Sequence, residues 1–99
     1  MTWPLYAEFT ALPGSESRVS ELVAELTGTV ITEPGCIRFE PFVQTENPRH
    51  WLVFEEYTDG DAFRAHLASA HSVAFNAVIA DHIQGGASVV TMLNAVGAR

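Results

Sequence analysis

The chain has 99 residues, 47% of them hydrophobic and 17% charged, and its net charge of -7 comes from twelve acids set against five arginines, with no lysine. This balance disfavours phosphate backbones and anionic lipid surfaces, so neither nucleic acid nor a membrane is an expected partner. The apolar fraction is too high for disorder, yet no apolar run approaches the roughly 20 residues of a membrane span.

In chain order, Trp3 to Leu12 alternates, with Leu5, Ala7, Phe9 and Ala11 on one face and Tyr6, Glu8 and Thr10 on the other, as in a half-buried strand. Pro13-Gly14 ends it. Ser15 or Ser17 then caps a predicted helix whose stripe is Val19, Leu22, Val23 and Leu26, with Gly28 near its end. Cys36 to Gln44 alternates again, and Pro41 inside it cannot donate a ladder hydrogen bond, so this strand belongs at a sheet edge or carries a bulge there. Glu46-Asn47-Pro48-Arg49 is turn chemistry leading to a third strand, Trp51 to Tyr57, hairpin-paired with the second. Asp59 opens a helical stretch that breaks and restarts around Ser69, because Ala62, Phe63, His66 and Leu67 give one stripe and Val73, Phe75, Val78, Ile79 and His82 another. A final strand is expected from Ala87 to Val96.

The order β-α-β-β-α-β is the split arrangement of a ferredoxin-like α+β domain, an antiparallel sheet with both helices on one face, spanning residues 1–99 as a single unit. Both faces of the last strand carry apolar groups, so the open face of the sheet calls for a cover. A sheet-to-sheet homodimer supplies it most economically. Met1 is not followed by a basic and then an apolar region, and the lone Cys36 cannot form an internal disulfide, which makes the cytoplasm the default location.

The absence of lysine removes Schiff-base chemistry, pyridoxal phosphate attachment and the P-loop lysine together. No Gly-x-Gly-x-x-Gly fingerprint is present, and Gly85-Gly86 reads as a turn. The chemistry-bearing segment is Glu55 to Phe75, which sets His66 and His71 on helical segments just after a strand that carries Glu55. Two imidazoles and a carboxylate in an apolar setting can move protons near neutral pH. Each residue also has a plainer reading: His66 as a helix histidine bonded to Glu55 or backbone, His71 as a cap beside Ser69, and Cys36 as a packed thiol. A zinc site from His66, His71 and His82 is disfavoured by spacing, so no metal is expected.

The chain resembles the antibiotic biosynthesis monooxygenase domain family, small dimeric α+β-barrel proteins. The resemblance rests on Ala7-Glu8-Phe9 before Pro13-Gly14, on Glu33-Pro34-Gly35-Cys36-Ile37-Arg38-Phe39-Glu40, and on Glu55, Tyr57, Asp59 and Ala62, followed by Ala65-His66-Leu67-Ala68-Ser69 with His71 and Phe75. It implies a dimer that oxidises a quinol, an anthrone or a related dihydroxy-aromatic with O2 to a quinone, without a cofactor. Haem-degrading relatives carry a strand-1 asparagine, a helical tryptophan and an iron-ligating histidine. Here Ala7 and Phe9, His66, and a position near Asn76 stand in their places, which disfavours haem. Ser72 follows the second histidine where a phenylalanine is common, implying a more open or more polar wall. Within this reading His66 transfers the proton, Glu55 orients it or stabilises its charge, and His71 is a second polar group at the pocket edge. Phe75, Phe39, Phe54, Trp51 and Tyr6 are the candidates for the wall around a small aromatic substrate, although strand alternation forbids their all facing one side. Two other classes stay open: a proton-shuttling isomerase or lyase acting on a small oxygenated metabolite, and a non-catalytic dimeric ligand-binding module. An enzyme should show a cavity with a mouth and an imidazole facing it; a binding module need not.

Overall fold

The structure is a computed structural model that describes residues 1–97. Strands β1 (Trp3–Thr10), β2 (Cys36–Val43), β3 (His50–Tyr57) and β4 (Val89–Met92) form one antiparallel sheet in the order β2-β3-β1-β4. Helix α1 (Glu16–Val30) joins β1 to β2, while α2 (Gly60–Ala68) and α3 (Ala70–Ile79) join β3 to β4. The α+β ferredoxin-like fold is therefore present.

The alternation in β1 becomes burial on the helix side, where Leu5, Ala7 and Phe9 are enclosed. Phe9 and Val53 from the sheet share a core with Val19, Leu22, Val23 and Val30 of α1 and with Ile79 of α3. Full burial of an aliphatic side chain such as Val19 contributes about 1.5–3 kcal/mol, and this packing holds the helices to one face. Tyr6 and Phe54 are register partners on the opposite face.

Local departures have identifiable causes. Helix α1 runs through Gly28 to Val30, because the apolar stripe continues one turn further and Val30 is fully buried. Strand β2 is at the edge, as Pro41 requires, but its irregularity lies between Cys36 and Arg38, next to the incoming turn. Strand β4 has four residues rather than the ten of the expected span, since pairing with β1 covers only Leu5 to Glu8. The segment before it coils in two short 3-10 turns and is tied back through an Ala11–Ile83 bridge and a bond from the Leu12 amide to the His82 carbonyl at 2.8 Å.

Candidate active site

Three local structures bring the polar groups together. The first is the turn after α1, in which the Glu33 amide donates to the Val30 carbonyl (2.9 Å) and the Cys36 amide to the Glu33 carbonyl (3.1 Å). Gly35 lets this turn lie directly on α2, because a Cβ there would collide with the Cβ of Ala62. The second is the start of α2, where the Asp59 carboxylate accepts from the Ala62 amide at 2.8 Å. The third is the break at Ser69, whose extended backbone (ψ 149°) ends α2 and caps α3. The Ser69 hydroxyl donates to the His66 carbonyl (2.6 Å) and accepts from the Ser72 amide (3.3 Å). An uninterrupted helix would aim residues five apart in different directions, whereas this break turns His66 and His71 towards one point.

That point is Glu33. His66 Nδ1 lies 2.9 Å and His71 Nε2 2.5 Å from Glu33 Oε2. An ionised carboxylate only accepts, so with Glu33 in that form the geometry suits a proton on each of these nitrogens, an arrangement that in a neutral His66 ring leaves the Nε2 lone pair free. Ser72 Oγ stands 3.4 Å from the same Nδ1 and is buried, one polar group in an otherwise apolar surround. Glu55 is also buried, but its Oε1 is 3.7 Å from His66 Nε2, beyond hydrogen-bond reach; its bonded partner is the Tyr57 hydroxyl, which donates at 2.7 Å. The residue that orients His66 through a hydrogen bond is thus Glu33, and Glu55 faces the other nitrogen across a gap.

Burial pushes the Glu55 carboxyl above the ordinary carboxylate range, partly opposed by the Tyr57 hydrogen bond and by His66. Burial, reinforced by Glu55, pushes the Tyr57 phenol far above its ordinary value, so it remains a neutral donor. Cys36 is a half-buried free thiol raised first by burial and then by Glu33 and Glu55, the opposite of an activated nucleophile.

A cavity of about 80 Å³ opens beside His66 and Glu55. Its walls are apolar, with Leu5, Ala7, Phe39, Phe63 and Phe75 among them, and the exposed residues Leu67, Asn76, Ser88 and Val90 mark its mouth. Of the five aromatic residues expected at the wall, Phe39 and Phe75 line it. Tyr6 and Phe54 point to the other face of the sheet, and Trp51 stacks on Phe9 at 6.0 Å further along the core. His82 stands apart from the group, with its Nδ1 3.1 Å from Ser15 Oγ. Glu33 and Tyr57 were not legible as site residues and carried a signal only as parts of the family-like segments, whereas Ser72 was read as a wall residue.

Fold and site together define a ferredoxin-like α+β domain with a histidine-carboxylate group beside an apolar cavity. The model of the antibiotic biosynthesis monooxygenase family matches residues 5–78, and the chain belongs to that family. A crystal structure described as an antibiotic biosynthesis monooxygenase is similar at 27% identity, covering 98% of this chain and 100% of the other, with a TM-score of 0.90. Rv0793 from Mycobacterium tuberculosis has 19% identity over 99% of this chain and 98% of its own, with a TM-score of 0.90. PA3566 from Pseudomonas aeruginosa has 19% identity over 97% and 95%, with a TM-score of 0.89. The last two likenesses speak for the fold alone. No curated protein matches the chain.

Proposed function

We propose that the chain is a cofactor-independent monooxygenase that oxidises a small quinol or related dihydroxy-aromatic with O2. The observation that carries this reading is a buried imidazole whose Nδ1 lies 2.9 Å from Glu33 and which, with Glu55, lines an apolar cavity with a mouth. His66 Nε2 accepts the hydroxyl proton of the substrate, and the ionised Glu33 stabilises the imidazolium that forms. The electron-rich anion passes one electron to O2, radical recombination at a ring carbon bearing hydrogen gives a peroxide anion, and the imidazolium returns its proton to make the hydroperoxide. Loss of water from this hydroperoxide leaves a carbonyl, so one oxygen atom stays in the product and the other leaves as water. The substrate is the reductant throughout. Tyr57, kept neutral by burial, holds Glu55 in place. Glu55 in turn sets the charge beside Nε2.

Cavity size narrows the substrate class. An apolar cavity of about 150 Å³ accommodates benzene, and the volume here is about 80 Å³. A one-ring quinol reaching out through the mouth therefore suits this site better than a tricyclic anthrone. The exposed Phe42 and the Tyr6–Phe54 pair on the uncovered face support a homodimer formed sheet to sheet, the second part of this reading.

The test is oxygen uptake by metal-stripped protein across a panel of hydroquinones and anthrones, with His66→Ala and Glu33→Gln beside the wild type. The reading expects uptake above the spontaneous rate, largest for one-ring quinols and reduced in both variants, by about 10²-fold or more for His66→Ala. Uptake at the spontaneous rate across the panel refutes oxygenation and favours the isomerase or binding alternatives.

A further inference from the structure

Glu33, His66 and His71 offer one carboxylate and two imidazole donor atoms that all lie within 4.8 Å of one another. We propose that these three residues form a binding site for a late first-row divalent cation of the Zn2+ type. Two histidines and one carboxylate, with further positions left open, are the donor set of catalytic zinc and non-haem iron sites. Spacing along the chain argues against a one-face pair of histidines. The helix break at Ser69 supplies what spacing alone cannot, by re-aiming His71 towards His66 until their ring centroids are 6.4 Å apart.

The metrics require only a small adjustment. Ligand bonds of about 2.0–2.2 Å set neighbouring donor atoms roughly 3.0–3.5 Å apart. Glu33 Oε2 now sits between the nitrogens at 2.9 and 2.5 Å, in the place an ion would take. Its side chain has to swing aside and the two rings close slightly. A route from solvent exists as well: His71 lines a shallow groove between α1 and α3, together with Arg18, Leu22, Glu25 and Thr29. The net charge of -7 favours cations generally.

Binding would also reverse the roles of the His66 nitrogens. With the cation on Nδ1, the ring proton moves to Nε2 and faces Glu55 Oε1, now 3.7 Å away, giving the carboxylate-histidine-metal relay that orients ligands in many metal proteins. A ring protonated at Nε2 cannot accept a proton from the cavity. If His66 is the proton acceptor proposed above, the cation is therefore an inhibitor; the binding itself does not depend on that reading.

The test is a Co2+ titration of tag-free, metal-stripped full chain, followed by absorption and calorimetry with Zn2+ as competitor, and needs no substrate. We expect one ion per chain, with affinity lowered about tenfold or more in both Glu33→Gln and His71→Ala, since loss of even an outer partner of a metal ligand has that effect. His50→Ala and His82→Ala should bind as the wild type does, and circular dichroism checks that each variant is folded. Absence of saturable binding overturns the proposal. So does binding that survives Glu33→Gln and His71→Ala in folded protein, or that is lost in His82→Ala.

Discussion

Removing the single hydroxyl of Tyr57 isolates the buried carboxylate chemistry. In Tyr57→Phe the ring keeps its packing against Phe63 and His66, with centroids 5.5 and 5.1 Å away, and only the 2.7 Å hydrogen bond to Glu55 is lost. Against an ionised Glu55 that bond contributes about 1.5–3 kcal/mol, and against a protonated one about 0.5–1.5 kcal/mol. Because burial raises the Glu55 pKa in the folded state, its favourable contribution is complete below the ordinary carboxyl pKa and is lost as pH rises through the raised value. Removing the donor raises that value further and deepens the loss. With a urea slope of about 1.2 kcal/mol/M for a chain of this size, a cost of about 2 kcal/mol moves the midpoint by about 1.7 M at pH 8, and a cost of about 1 kcal/mol moves it by about half of that at pH 4. Urea melts by tryptophan fluorescence at fixed protein concentration measure both arms. An equal shift at the two pH values, or a shift below about 0.4 M at pH 8, refutes the Tyr57–Glu55 coupling.

Glu55→Gln should raise the urea midpoint at pH 8, since an amide accepts the Tyr57 hydrogen bond without burying charge, and the gain should vanish as pH falls below the ordinary carboxyl range; a loss at pH 8 contradicts the desolvation cost. Gly35→Ala forces the Glu33 turn off Ala62 at a cost of about 1–3 kcal/mol, with Tm falling about 4–8 °C per kcal/mol; an unchanged Tm means that the close approach is not native. Phe54→Arg, on the face away from the helices, should halve the mass measured by light scattering if the sheet-to-sheet dimer forms, and an unchanged dimer mass places the interface elsewhere.

The fold could be read from periodicity wherever one face was buried. β1 and α1 announced themselves because Leu5, Ala7 and Phe9 and then Val19, Leu22 and Val23 repeat with the periods of strand and helix, and those same residues fill the core. β4 was overextended because its residues are apolar on both faces, so nothing in their pattern marks where pairing stops. In the site, His66 and the break at Ser69 were visible in sequence, as were Phe39 and Phe75 as aromatic residues. The partner of His66 was not. Glu55 is the acid on the nearest strand and Glu33 is 33 residues away on a turn that the close approach of Gly35 to Ala62 lays against α2, where Glu33 reaches Nδ1. Tyr6 and Phe54 illustrate the converse, two aromatic residues excluded from the cavity by the parity of their strands.

The proton-transfer account stands on the neutral form of His66 carrying its hydrogen on Nδ1, towards Glu33, and leaving Nε2 free towards the cavity. Nitrogen NMR of 15N-histidine-labelled, metal-stripped protein reads this tautomer directly, with His66→Gln giving the assignment. The account predicts a protonated Nδ1 and an unprotonated Nε2 in the wild type, with that preference weakened in Glu33→Gln. A wild-type ring protonated at Nε2 would contradict it, because the imidazole would then have no lone pair to offer a substrate.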